Sequence, residues 1–549
     1  MSQNEYATLF ERDRLGFVSD TLWTGNGDWR ESAAQFGRFG NFAYALDVLY
    51  RGEVGQRVND NLDQLTVSGQ FKWQISPADS VFLQAIYYDA ENGDVAQRHG
   101  LPTLNPGLRV QERQDPLLLA GWHHEWQPGS HTLLLVGRFD DSLQFMAPEN
   151  LVWDYVRNPD GSITPPFQSR GALDYQSEFA GWTAEVQQLW QAGPQTLIVG
   201  ARYQAAEFDT VASLDTSTWY FFSDAPNANS RTFRVSPNLE RASLYGYDHW
   251  RPVSWALLTT GITYDHLTQP DNFRIAPFAE GESSRNLVSP KFGLTLTPWN
   301  GGVVRGAFTR SLGGVSFDQS FRLEPVQVAG FNQSFRGLIP EALQGSVAGQ
   351  EFEAWGVAFD QTLPTKTYLT LSAERLASSV TRQVGAFETQ DLLRYAAGST
   401  PQDLRFVERN LGASVSQLAG DCLAFTTRYR LSEATLDWRF PEATGSGSTA
   451  SERSVLQQLQ LEARFNHPCG AFATFTSTWN HQSNSDPGLP GDDFWQHDIW
   501  LGYRLLQRRA EISVGVLNLT AQDYRLHPLN LYADTYRDRT LALRARFAF

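Results

Sequence analysis

Two superposed alternations restrict what this chain can fold into. Within each apolar run, hydrophobic residues recur at every second position, and between runs short turns and long loops take strict turns down the whole sequence. Thr367 to Glu374 puts Leu369, Leu371 and Ala373 on one face and Thr370, Ser372 and Glu374 on the other. Gln458 to Phe465 sets Leu459, Leu461, Ala463 and Phe465 against Gln458, Gln460, Glu462 and Arg464. Glu511 to Val516 repeats the arrangement, and the last run is the cleanest. There Leu541, Leu543, Ala545, Phe547 and Phe549 oppose Thr540, Ala542, Arg544, Arg546 and Ala548. A period of two is the mark of a strand with one face wet and the other in apolar surroundings.

The connections sharpen this. Short turns include Phe39-Gly40-Asn41, Gln127-Pro128-Gly129-Ser130, Gln191-Ala192-Gly193-Pro194, Arg251-Pro252, Leu363-Pro364-Thr365, His467-Pro468-Cys469-Gly470 and Gln507-Arg508. Long loops are expected between them, roughly at 91–114, 144–174, 213–233, 270–285, 313–349, 384–403, 441–453 and 484–493, with shorter ones near 24–27, 52–62 and 526–533. The scheme counts 22 strands, an even number that puts both chain ends on the short-turn side. A soluble sandwich has no reason to sort loops by length onto one end, whereas an outer-membrane barrel has short periplasmic turns and longer extracellular loops. The expected fold is therefore all-β, a 22-stranded antiparallel transmembrane barrel occupying residues 1–549 as one domain.

Composition agrees. No apolar run approaches the ~18 to 20 residues of a spanning helix, and aromatics at 13% with charged residues at 19% exclude disorder. The 44 glycines, 35 phenylalanines, 19 tyrosines and 17 tryptophans describe strands and turns. Aromatic girdles near strand ends are expected from Trp73, Tyr87, Trp122, Trp126, Trp182, Trp190, Trp250, Trp255, Trp355, Trp479 and Trp500. A net charge of -16 argues against nucleic acid as a partner. The opening MSQNEYATLF has neither the basic start nor the apolar stretch of a signal peptide. An exported chain is then expected to be a mature form, an engineered start or part of something longer.

The C-terminal residues Gly502-Tyr503-Arg504-Leu505, Val516-Leu517-Asn518-Leu519 and Asp523-Tyr524-Arg525, ending in Phe547-Ala548-Phe549, resemble the closing strands of TonB-dependent receptors. Leu287-Val288-Ser289-Pro290-Lys291-Phe292-Gly293-Leu294 is similar to that family's "SPK-G" strand, and Leu323-Glu324-Pro325-Val326-Gln327 to its "L-x-P-E-x" segment. The resemblance implies a 22-stranded barrel, with Phe547 and Phe549 as an assembly signal read by the barrel-assembly machinery. The chain departs from the family at its start. With the first strand expected near Tyr6, neither plug nor TonB-contacting box has room, as in barrels that follow periplasmic tetratricopeptide repeats. A passage barrel for a solute or polymer, embedded among lipid and lipopolysaccharide and working with a separate periplasmic partner, is the expected function. A non-conducting surface-binding or scaffold barrel is the alternative.

Candidate site residues follow from the faces. Glu374, Glu462, Arg464, Glu511, Arg544 and Arg546 are expected to face the lumen, either as a selectivity lining or as ion-paired ladders along the wall. The 37-residue loop 313–349 carries Phe317, Phe321, Phe331 and Phe335, a constriction or ligand platform if folded inward and an ordinary exposed loop if not. Cys422 and Cys469 both fall beside short turns in an oxidising compartment and are a possible disulfide: strands two apart lie ~9.5 Å from each other, beyond ordinary reach unless the two turns curl together. His481 and Ser483 resemble the His-x-Ser stretch of outer-membrane phospholipases, a remote enzymatic alternative in which the histidine activates the serine. No metal or cofactor spacing occurs: His123 and His124 are strand neighbours pointing to opposite faces.

Overall fold

The computed structural model describes residues 14–95, 105–215, 230–314, 322–333, 348–391, 394–485 and 487–549. Its strands form one antiparallel sheet of 23 segments, each hydrogen-bonded to its neighbours in sequence. Ser230–Val235 and Asn238–Val253 both pair with Gln195–Asp215 and continue one strand across Ser236-Pro237, so the ring has 22 strands. Pro237 has no N–H to give the ladder, and its carbonyl instead accepts the Phe208 N–H at 3.0 Å. Leu15–Thr24 pairs with Thr540–Ala548, from Val18↔Ala548 to Thr24↔Ala542, and closes the barrel. No sheet edge is then left in hydrocarbon without hydrogen-bond partners.

The wall is polar inside and apolar outside. In Phe167–Ala192, Glu185 and Gln187 are buried toward the lumen, while Trp182, Val186 and Trp190 on the opposite face are exposed. In the last strand Leu541 and Leu543 are exposed on the outer face. Short turns connect the strands at one end: Gly40 (φ 57°) and Gly193 (φ 58°) lie in two-residue hairpin turns, in the left-handed region that side chains disfavour. These are the features of an outer-membrane barrel.

Several strands run far past the bilayer. Ser130–Val156, Phe167–Ala192, Thr367–Asp391 and Arg394–Ala419 hold 27, 26, 25 and 26 residues, against the ~9–11 that span the membrane. Most of 144–174 and 384–403, expected as loops, is therefore strand. Above the membrane neither face meets lipid, so the apolar period fades although the ladder continues. The short turn expected at Arg251-Pro252 falls instead at Ser254-Trp255, because Pro252 belongs to a bulged strand end. The first described strand begins at Leu15, and Tyr6 lies outside the described residues. Trp500 leaves the girdle set: it faces the lumen, opposite Gly515 and Thr474.

The extracellular extensions meet over the barrel mouth. Trp153–Val156 of the seventh strand pairs in parallel with Ala386–Thr389 of the fifteenth, eight strands away around the ring. Arg157 Nε binds Glu388 Oε2 at 2.9 Å, Trp153 packs edge-on to Phe440 with centroids 5.2 Å apart, and Ile163 bridges to Ala443. The result is an arch across the entrance.

At the seam, Phe549 exchanges both backbone hydrogen bonds with Phe17, at 2.8 and 3.0 Å. The Phe17, Phe547 and Phe549 rings cluster, the last two 4.7 Å apart. Deleting Phe549 removes both bonds and two ring contacts. The folded fraction recovered from membranes is expected to drop severalfold, read as loss of the heat-modifiable band on electrophoresis.

Candidate functional site

Three layers of side chains fill or line the lumen. The middle one is built by the segment Arg322–Gln333, which leaves the wall after Gly302–Leu312 and folds back inside. Its small hairpin, Gln327–Val328 with Phe331–Asn332, is seated on two glycines of the wall. A Cβ on Gly293 would lie 2.6 Å from Val328, and one on Gly356 2.4 Å from Phe331, so only glycine admits this contact.

Glu324 is the centre of this layer, at 5% exposure. It accepts the Tyr247 and Thr263 hydroxyls at 2.7 and 2.8 Å and faces Lys291 Nζ at 3.6 Å and Arg322 Nη1 at 3.7 Å. Burial alone would raise its carboxyl, but Lys291 and Arg322 hold it down at about 2. Glu185 grips the same segment from the wall, accepting the backbone N–H groups of Leu323 and Glu324 at 2.9 and 3.0 Å and the Tyr245 hydroxyl at 2.7 Å. Gln187 donates to the Leu323 carbonyl at 2.8 Å. The two sequence segments that resembled receptor motifs thus meet here: Lys291 and Gly293 of one receive Glu324 and the residues after it.

The lower layer lies toward the short turns. Glu462, Arg464, Glu511, Arg544 and Arg546, five of the six charges assigned to the lumen from sequence, line one cavity of about 410 Å³ with Trp500 and Arg504. They are paired: Arg544 Nε with Asp20 at 2.7 Å, Arg546 Nε with Asp20 at 2.9 Å, Arg504 Nε with Glu511 at 2.9 Å and Arg464 Nε with Glu462 at 2.6 Å. Four arginines face three carboxylates. Glu374 is not among them; it lies on the lumen side of Thr367–Asp391, opposite Gly356.

The upper layer is a chamber of about 460 Å³ under the arch, with Phe145, Trp153 and Trp438 on its walls and Arg274, Arg382, Gln168 and Gln402 among them. An adjoining cavity of about 260 Å³ shares Arg274, Ile275 and Arg382. Gln402 accepts from Arg382 Nε at 2.9 Å. Arg274 stacks over Phe273 at 5.1 Å, and its buried Nε has no hydrogen-bond partner. The loop between the last two strands closes one side of this layer. Asn518 staples its base by donating to the carbonyls of Gln522, Tyr536 and Arg537 at 3.0, 2.9 and 2.9 Å, and Leu529 packs among Phe352, Val380, Leu404 and Phe406. The inserted part is longer than the expected 526–533, since Tyr524 is buried as well.

Of the aromatic loop, only Phe331 is described; it packs on Gly356 beneath Arg305, 5.9 Å away. Phe317, Phe321 and Phe335 lie outside the described residues. Cys422 and Cys469 are both free thiols. His481 is on the outer wall, its Nδ1 3.1 Å from Asp493 and its ring stacked on Trp479; no bond joins it to Ser483. Sequence reasoning missed Arg274 and Trp153, which stand where loops were expected, and Arg382 and Trp438, which lie on strands just before expected loops. The Phe273-Arg274 pair between Pro270 and Pro277 was the available signal.

A closed ring with an apolar exterior and a polar, loop-filled lumen is a large transmembrane barrel of the outer membrane. Its fold is that of TonB-dependent receptors. The siderophore receptor PirA from Pseudomonas aeruginosa superposes with a TM-score of 0.56 at 12% identity, covering 98% of this chain and 81% of that one. The copper transporter OprC gives 0.62 at 14%, covering 98% and 83%, and the ferric citrate transporter FecA, unliganded, 0.61 at 13%, covering 97% and 78%. No family model and no curated protein sequence matches the chain.

Proposed function

We propose that this protein is an outer-membrane passage barrel for a small, negatively charged solute with a planar or aromatic part. The carrying observation is the chamber under the arch. Arg274 and Arg382 present guanidinium groups among Phe145, Trp153 and Trp438, in a chain whose net charge is -16. Arginine forks suit carboxylate or phosphate oxygens, and aromatic faces suit flat ligands. Below, the arginine-rich cavity around Arg544 and Arg546 continues the same preference toward the periplasm. The similar structures are named for siderophores, copper and ferric citrate. Two arginines against one carboxylate, Glu452, disfavour a bare cation, and among the described residues no three metal-ligating side chains converge, so the anionic chelates fit this chamber better than copper ion. Release on the inner side is assigned to a separate periplasmic partner.

Calorimetric titration of the purified barrel with ferric citrate and with copper ion tests this. The anionic complex is expected to bind, and R274Q/R382Q to weaken it by at least about tenfold, since each charge-assisted hydrogen bond contributes about 1.5–3 kcal/mol. Binding of copper ion alone would count against the proposal. The arch favours a second reading, a closed barrel that binds at the surface without passage. Solute bound by the wild type yet never transferred across a proteoliposome wall would favour it.

A further inference from the structure

The outer wall carries a site that the lumen reading leaves unused. Across the twelfth to seventeenth strands, one register row on the outer face reads Phe292, Phe308, Trp355, Arg375, Arg409, Glu433. The next row toward the short turns reads Leu294, Gly306, Val357, Ala373, Leu411, Leu431. Gly306 and Ala373 are small where their neighbours are large, so the wall is dented there. The dent is a groove of about 590 Å³, open to the lipid side. Trp355, Val357 and Leu411 along it are 51%, 59% and 52% exposed.

Charge collects at one end of this apolar groove only. Arg375 pairs with Glu353 at 3.3 Å, and Glu433 bridges Arg409 and Arg453 at 3.3 and 2.8 Å. Three arginines thus stand against two carboxylates. A guanidinium has five N–H donors, so these pairings hold the arginines in place while using only part of their donor capacity. Trp355 lies eight residues up the strand from Leu363, where the short turn begins. At ~3.3 Å per residue, that distance is close to the tilted ~9–11-residue span of the bilayer, which places the charged end at the outer-leaflet boundary.

We propose that this groove binds one phosphorylated lipid of the outer leaflet, a lipopolysaccharide, with an acyl chain lying over Gly306 and Ala373 and a phosphate held by Arg375 and Arg409. The occupant follows from charge complementarity: an excess of cationic forks above an apolar trough matches a phosphate above acyl chains. A zwitterionic phospholipid offers the chain without the net charge, and a soluble anion offers the charge without the chain.

Native mass spectrometry of the detergent-solubilised full chain, delipidated and then given purified lipopolysaccharide, its dephosphorylated form or phosphatidylethanolamine, tests the site. The wild type is expected to retain one lipopolysaccharide and to lose about tenfold in retention when the phosphates are removed. R375Q/R409Q is expected to lower lipopolysaccharide retention by about tenfold, the equivalent of one to two lost charge-assisted bonds. A373F, which fills the trough and leaves the arginines, is expected to lower retention of both forms. Heat-modifiable mobility checks that each variant is a folded barrel. Equal retention by the wild type and R375Q/R409Q, or phosphatidylethanolamine held as tightly as lipopolysaccharide, would overturn the proposal.

Discussion

Replacing Glu324 with alanine is expected to expel the segment Arg322–Gln333 from the lumen while leaving the barrel closed. The substitution strands Lys291 and Arg322 in a buried site with their shared counter-charge gone, and breaking such a pair from one side costs about 3–5 kcal/mol. It also takes the carboxylate acceptor from the Tyr247 and Thr263 hydroxyls, leaving them only their bonds with Gln333 and Lys291. The wall has its own ladder, so the loss falls on the inserted segment and not on the ring. Limited trypsinolysis reads this directly: cleavage after Arg322, slow in the wild type, is expected to rise by an order of magnitude or more, with unchanged heat-modifiable mobility. E324Q keeps the shape but not the charge and is expected to fall between. Acid has the same sign. The Glu324 carboxyl titrates lower in the folded chain, at about 2, than its ordinary 4.5. Its contribution is therefore complete above about pH 4.5 and is lost as pH falls toward 2. Trypsin-resistant Arg322 in E324A would refute the assignment of Glu324 as the anchor.

The second large effect concerns the arch. Tyr155 and Glu388 are direct partners in the parallel pairing that spans the mouth, so Y155C/E388C, made with Cys422 and Cys469 replaced by serine, should close a disulfide there. Oxidised protein is expected to reach the chamber ligand at background level only, and reduced protein to recover it. The mechanism is access: four residue pairs, the Arg157–Glu388 ion pair and a small buried cluster of Tyr155, Ile163 and Ala386 hold the extensions of the seventh and fifteenth strands together over the chamber, so solute reaches the chamber from outside only when they part. Uptake by the locked barrel at the wild-type rate would show that solute enters by another way.

How much of this was legible in the sequence depends on what each side chain faces. Inside the bilayer the two faces of a strand meet opposite solvents, so alternation survives in Leu459 to Phe465 and in Leu541 to Phe549, and the strand count and short turns follow. The same logic placed Glu462, Arg464, Glu511, Arg544 and Arg546 on one lumenal wall, where the structure brings them to a single cavity. Their partner Asp20 was not foreseen, because it arrives from the other end of the chain at the closing seam. Above the membrane the contrast between faces vanishes. Tyr155 and Phe387 therefore read as loop although they are strand, and the arch they build and the chamber under it stayed hidden. Trp500 was misassigned for a related reason: an aromatic on a membrane strand reads as a girdle residue until register decides its side.

The closing seam also dictates an order of events. Val18 cannot meet Ala548 until the closing strand has been made, and contacts this distant in sequence are the slowest to form. Until then two strand edges, Leu15–Thr24 and the last one laid down, carry open rows of N–H and C=O groups that lipid cannot satisfy. Synthesis and insertion thus cannot overlap as they do for a helical membrane protein: the chain has to be kept unfolded, and its edges shielded, until Phe549 is in hand.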